Sequence, residues 1–441
     1  MAGGRGLMAD FMQRALAEAP ATAPVWLQDI QSRGRETWKG TQLPTRKTEA
    51  WKYTNLQALQ QSFVIPGRDA CRADVSDIKL PQLGGPTLVF TDGVYRAELS
   101  ATALPAGLTL VRFADADAAQ AEQIRAALGS ALLPGRHVFA PLNEATLADG
   151  VFLQVAANAV ITEPVQIAWL TSGQHEPISI TQRLLVCLGA NSQATVLETF
   201  ANTDIGGTAF TNGITELLLD RGARLHHYRL QLEQGDAVHI GGVHARLGAD
   251  SLLSGFHLAL GSALKRIDLV VDHQGPGAHC DLDGIYLPRG TETVDYHTCI
   301  EHSVPHCSSV ERFRGIIADE ATAVFNGRIH IHPQAQKTRA ELSNKNLLTS
   351  NKAEINTKPE LEIYADDVQC AHGATVAQLD PLTLHYLRTR GVPKDEAEVM
   401  LSYGFINELV EAVAEPALQA FLKPLLANRF AREARLTRHI L

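Results

Sequence analysis

The sequence predicts a mainly β protein with helical regions at both ends. From about residue 151 to 370 almost every segment is a short β-branched or alternating run, set off by Gly, Asn, Asp or Pro, and no helix of credible length interrupts them. At the start, Leu7, Met8, Phe11, Met12, Ala15, Leu16 and Ala19 recur every three to four residues. At the end, Met400, Leu401, Phe405, Leu409 and Val413 share one helical face until Pro416 interrupts.

Residues 7–19 are expected to form an amphipathic helix that stops before Pro20. Residues 25–62 are expected to be mostly helical, with Trp26, Trp38 and Trp51 anchoring helix packing rather than binding a ligand. Residues 87–95 read as two short strands around an Asp92-Gly93 turn. Residues 115–133 return to helix, with Pro134-Gly135 as the stop. Strands are then expected at 184–188, 194–200, 214–219, 266–271 and 323–325, among others. So long a stack without helical crossovers fits a sandwich, a propeller or a β-helix, and periodicity does not choose among them.

Composition excludes several classes. In 441 residues, 45% hydrophobic and 20% charged content argues for a folded chain and against disorder. Asp10 comes early and no continuous apolar run precedes it, so no export signal is read. The most apolar stretch, 151–161, is broken by Gln154 and Asn158 and is too short for the ~30 Å of a bilayer core, so no membrane span is expected. Six cysteines (Cys71, Cys187, Cys280, Cys299, Cys307 and Cys370) in so long a chain read as reduced thiols of a cytoplasmic protein. A formal charge of −9 lacks the basic excess that follows a phosphate backbone, so nucleic acid is not expected as a partner.

The sequence has no phosphate loop, no dinucleotide-binding glycine fingerprint and no G-x-S-x-G elbow. It also lacks C-x-x-C and H-E-x-x-H, so a preformed structural zinc site is not expected. Soft ligands do crowd together late in the β region: His297, Cys299, His302, His306 and Cys307, then Cys370 and His372. On a strand over 294–300, period two puts Asp295, His297, Cys299 and Glu301 on one face, either a ligand-rich face or the solvent side of a half-buried strand. Cys370 and His372 also alternate, so thiol and imidazole point the same way, roughly 6 to 7 Å apart along the strand. Two ligands are too few for a four-ligand iron–sulfur cluster, so more must converge or a partner must supply them. A buried structural Cys beside a hydrogen-bonded His stays an equal reading.

The run from Asn344 to Asp380, which contains Cys370-Ala-His-Gly-Ala-Thr-Val376 and Gln378-Leu-Asp380, strongly resembles the SufB/SufD family of iron–sulfur cluster assembly proteins. Glu301-His-Ser-Val-Pro-His-Cys-Ser-Ser309, Phe325-Asn-Gly-Arg-Ile329, Pro333-Gln-Ala-Gln-Lys-Thr338 and Arg46-Lys-Thr-Glu-Ala-Trp-Lys-Tyr-Thr-Asn55 look like the same family. The resemblance covers most of the chain and is weakest between about 60 and 180. The motif after Cys370 is similar to the SufD branch. Ala377 departs from it, standing where a glycine is commoner.

The resemblance implies a right-handed parallel β-helix core over 151–376. Before it come an N-terminal helical region over 1–66 and a mixed α/β lead-in over 67–150; after it comes a C-terminal helical region over 377–441. It implies a non-catalytic scaffold that pairs with a SufB-like subunit through the β-helix ends. The C-terminal helices would bind a SufC-like ATPase, in a complex of one SufB, two SufC and one SufD. ATP would then be hydrolysed by the partner. No cofactor would be held by the chain alone, which could pair with itself when isolated, and a transient cluster would form at the interface with SufB. His372 matches the histidine implicated in nascent cluster formation and Cys370 its neighbouring cysteine; His297, Cys299 and Cys307 are weaker candidates. Two alternatives remain, a β-helix polysaccharide lyase or hydrolase and a purely structural partner of SufB.

Overall fold

The computed structural model describes residues 11–16, 23–65, 74–133, 135–173, 176–203 and 208–430. Cys71, Pro20 and Pro134 lie outside the described residues, as does most of the helix expected over 7–19, of which 11–16 is helical.

The lead-in contains β1 (Thr87–Thr91), β2 (Val94–Tyr95) and β3 (Leu108–Arg112). β1 and β2 pair antiparallel around Asp92 (φ 52°) and Gly93 (φ 81°), the two left-handed residues that a tight hairpin turn needs. Among the described residues sixteen strands follow without a helix between them, beginning with β4 (Val151–Val155), β5 (Val165–Thr171), β6 (Ile178–Leu188), β7 (Gln193–Asn202) and β8 (Ala209–Leu219). The middle coils carry β9 (Arg224–Gln231), β10 (Val238–Leu247), β11 (Leu252–Leu260), β12 (Leu264–His273) and β13 (His279–Leu287). The last are β14 (Thr293–His302), β15 (Ser308–Ile317), β16 (Thr322–Ile331), β17 (Thr338–Leu348), β18 (Glu354–Ile363) and β19 (Val368–Gln378).

Successive strands alternate between two sheets. One runs β19-β17-β15-β13-β11-β9-β7-β5-β1-β2 and the other β18-β16-β14-β12-β10-β8-β6-β4-β3. β3 pairs antiparallel with β4, but between the strands β4 to β19 every pairing is parallel and joins strands one coil apart, as in Cys299 opposite Arg328, 29 residues on. This connectivity is a parallel β-helix, and it resolves the choice that periodicity left open.

Alternation along each strand sends one set of side chains inward. Val294, Tyr296 and Ile300 of β14, Phe313 and Ile317 of β15, and Phe325 and Ile329 of β16 all lie in one interior core. Gly284 makes room there, since a Cβ on it would lie 2.1 Å from the Phe313 ring. Corners are turned by left-handed residues such as Asn191 (φ 56°), Gly277 (φ 76°) and His306 (φ 63°). Exposed His306 is thereby explained as a turn residue.

The outer faces are covered unequally. Over the odd-numbered sheet lie α5 (Lys394–Glu411) and α6 (Pro416–Phe430), which bury Ile406, Leu409, Leu418 and Leu422 against Tyr228, Phe256, Leu258 and Ile285. Before them comes α4 (Pro381–Thr389), which has no buried residue. Over the even-numbered sheet, Phe11, Trp38, Trp51 and Phe139 pack on Phe210, Val238 and Ile240.

Three local expectations are corrected. Within 25–62 the only α-helix is α1 (Gln28–Gly40), and beyond it there are short 3-10 turns at Glu49–Trp51 and Leu56–Gln60, because Trp51, Leu56 and Leu59 are apolar for docking on the sheet and not for helical periodicity. The helix expected over 115–133 is α2 (Ala118–Ala127), capped by Asp117 and Gln120. It stops well before Pro134 because left-handed Gly129 turns the chain, and the amides of Gly129 and Ala131 donate to the Glu216 carboxylate at 2.8 and 3.1 Å. Near the C-terminus the buried face of α5 is Val399, Tyr403, Ile406 and Val410, together with Leu409; Met400 and Leu401 flank it, and Pro416 begins α6. The short α3 (Ala140–Thr146) follows α2 and packs beside α1.

Candidate functional site

β18 and β19 are the last strands of their sheets, so each has one edge unpaired among the described residues. Such edges can take up another chain. No further coil covers them, and β19 is largely exposed. Among the described residues ten large hydrophobics are exposed; Ile363, Tyr364 and Val376 lie on or directly beside these two strands, and Leu382 and Tyr386 in the helix that follows them.

Register tells which way Cys370 and His372 face. Cys370 stands opposite Ala340, and through Ser309 above Cys280; Ala340 and Cys280 are fully buried interior residues. His372 stands opposite Leu342, which lies above Glu311 and Leu282. Both residues therefore belong to the inward face of the final coil. Cys370 is half-buried against the interior core, and burial pushes its thiol above the usual range. His372 is exposed, with no further coil over it among the described residues.

The other soft ligands separate. Cys307 lies inside the core, with Sγ 3.4 Å from the Gly275 carbonyl oxygen, and burial pushes its thiol up to about 11. His302 also turns inward, stacks on His273 at 4.4 Å between centroids and is pushed by burial down to about 2. His297 and Cys299 face outward on β14 with Asp295 and Glu301, as alternation requires.

That outward face is not simply a solvent face. The N-terminal region covers part of it: fully buried Asp295 accepts from Thr54 and from Arg266 Nη1 at 2.7 Å, and His297 Nε2 lies 3.0 Å from its other oxygen. Burial opposes the Asp295 charge, yet the Arg266 guanidinium and His297 hold its carboxyl at about 2. A cleft of about 240 Å³ remains beside them, lined among others by Arg136, Arg328, Lys358, His297 and Cys299.

Sequence reasoning missed two neighbours of Glu301. His330 of β16 stands opposite it in register, and His332 follows two residues later. Glu301 Oε2 lies within hydrogen-bond reach of His330 Nδ1 and 3.0 Å from His332 Nε2. One donor atom from each of the three lies within 4.8 Å of the others. Oε1 takes hydrogen bonds from Arg328 Nη1 at 2.8 Å, Arg136 Nη2 at 3.2 Å and Cys299 Sγ at 3.4 Å. Burial works against the Glu301 charge, but His330, His332 and Arg328 hold its carboxyl down at about 2. Cys299 is pushed up to about 12 by burial and by Glu301. The spacing His330-Ile-His332 was the available signal, since alternation puts both rings on one face.

Comparisons with known proteins agree on one family. Residues 170–405 match the family model described as SUF system FeS cluster assembly, SufBD core domain, and residues 10–167 match the SufBD protein N-terminal region. An iron–sulfur cluster assembly SufBD family protein of Synechocystis is 32% identical over 397 residues, 88% of this chain and 87% of the relative. Iron–sulfur cluster assembly protein SufD of Escherichia coli is 30% identical over 425 residues, 95% of this chain and 96% of the relative. SufD of Bacillus subtilis is 28% identical over 275 residues, 62% of each chain.

Proposed function

The chain belongs to the SufBD family of iron–sulfur cluster assembly proteins and is SufD-like, and from that premise we propose that it is a scaffold subunit whose open β-helix end pairs with a SufB-like subunit. The observation that carries this reading is the last coil, which nothing covers among the described residues: two strand edges unpaired there, an apolar rim of Ile363, Tyr364 and Val376, and two iron-competent side chains on its inward face. A nascent cluster is the cargo of that interface. His372 offers an exposed ring nitrogen as a ligand, whereas the Cys370 thiol, raised by burial, needs a cation beside it to ionise. His372 therefore leads and Cys370 supports. The partner supplies the ligands that this chain lacks. Without that partner the same edges serve pairing with a second copy.

The C-terminal helical region docks a SufC-like ATPase, to which ATP hydrolysis belongs. α4 is the part to test, because Leu382 is 77% and Tyr386 57% exposed and they lie on one helical face. Removing residues 395–441 would confuse docking with folding, since α5 and α6 form part of the core. The Leu382→Ser, Tyr386→Ser double variant of the full chain avoids this. It should still pair with the SufB-like subunit but capture less of the ATPase. Capture with unchanged affinity would refute the assignment of α4 as the docking surface.

A further inference from the structure

We propose that Glu301, His330 and His332 bind a single divalent first-row transition ion on the outward face of the even-numbered sheet, one strand in from the edge strand β18 and distinct from Cys370 and His372. The three donors come from fixed backbone. Glu301 and His330 are cross-strand partners at the ends of β14 and β16, and His332 is carried by the first residue after β16, whose amide donates to the His302 carbonyl at 3.0 Å. Two nitrogens and one carboxylate oxygen already converge, and all three donor atoms lie within 4.8 Å of one another. Little rearrangement separates this from a coordination sphere with metal–ligand distances near ~2.1 Å.

The neighbours divide the carboxylate between two tasks. Arg136 and Arg328 occupy Oε1, and Arg328 is itself fixed by Glu362, with Nε and Nη2 each donating at 2.7 Å. That clamp aims Oε2 at the two imidazoles, the kind of outer support that orients metal ligands. Tyr364 lies edge-on to the His330 ring, with centroids 5.6 Å apart. Glu362 and Glu301 offset the two arginines, so the site does not repel a dication through net local charge.

Donor chemistry sets the class of ion. Imidazole with one carboxylate suits zinc, cobalt, nickel or ferrous iron, whereas calcium and magnesium ask for more oxygen ligands than are present. Three protein ligands leave positions open to water or to an incoming group. The His332 side chain is 40% exposed and the Glu301 side chain 8%, so an ion can reach the site from solvent while its carboxylate stays sheltered.

The test uses the full chain, stripped with chelator and titrated with Co(II) at neutral pH, followed by calorimetry and by the visible spectrum of the ion. One Co(II) per chain should bind. His332→Ala should weaken binding roughly tenfold or more, and the His330→Ala, His332→Ala double variant should abolish stoichiometric binding. Co(II) should also raise the melting temperature of the parent but not of the double variant, provided both melt cooperatively without metal. The Cys370→Ala, His372→Ala variant should bind Co(II) like the parent, which separates this site from the one at the open end. Absence of binding by the parent, or unchanged affinity in the double variant, would overturn the proposal.

Discussion

Replacing Glu311 with Gln should stabilise the protein at neutral pH, and by less as the pH falls. Glu311 points inward on β15, is 1% exposed and has no ion-pair partner among the described residues. Burial pushes its carboxyl from 4.5 up to about 8, offset in part by Thr298. Between these values the native state holds a proton that the unfolded state has released, so stability falls as pH rises through that window. At about 1.4 kcal/mol per pH unit, holding that proton costs on the order of 3 kcal/mol at pH 7 and nothing below the unfolded value. A neutral amide of nearly the same shape removes the dependence. Urea unfolding followed by tryptophan fluorescence at about pH 5 and about pH 7.5 measures it. The advantage of the variant should grow with pH, by roughly 2 to 3 kcal/mol between the two conditions. An advantage of the same size at both, or a variant weaker than the parent at the higher pH, would refute a protonated Glu311.

Gly284→Ala should lower stability by about 1–3 kcal/mol in thermal unfolding, because its Cβ would lie 2.1 Å from the Phe313 ring. Gly373→Ala, with nothing within 4 Å of its Cβ, should change stability by no more than about 0.5 kcal/mol. In the native protein iodoacetamide should modify half-buried Cys370 well before fully buried Cys280, and mass mapping that found the reverse order would contradict the register given for β19. Arg429→Ala removes hydrogen bonds to the Leu287 carbonyl at 2.8 Å and to Gln234 at 2.8 Å, along with the ion pair to Glu292. It should cost about 2 kcal/mol and speed amide exchange in α6, and unchanged exchange there would remove Arg429 as the tether of that helix.

The parts of the fold that were legible in sequence are those with local causes. Asp92-Gly93 declares its hairpin because two adjacent residues must take positive φ, and few other pairs do so cheaply. The helix-free stretch declares itself by strand runs and turn residues. The β-helix does not, because the partner of each strand sits a whole coil away; no window around Cys299 contains Arg328, and only the family resemblance supplied that architecture. The tryptophan-rich segment misled for the opposite reason: Trp51 and Leu56 are apolar to fit a sheet that lies far along the chain. Cys370 and His372 could be placed on one face by alternation alone, but that the face is inward, and uncovered, follows from the register with Ala340 and Leu342. Cys307 could not be told from Cys299 because the intervening turn at 303–306 sends one thiol inward and leaves the other outward. His330 and His332 carried the same alternation signal and were missed because their third partner, Glu301, lies 29 residues upstream.

The most direct test of the central claim is the iron and acid-labile sulfide held by the assembled complex when the full chain carries His372→Ala beside SufB-like and SufC-like partners. The account predicts that the complex still forms, because removing the imidazole leaves the backbone pairing of β19 in place, and that its iron and sulfide content falls well below that of the parent, with Cys370→Ala falling less. A His372→Ala complex that assembles and loads clusters as the parent does would contradict it.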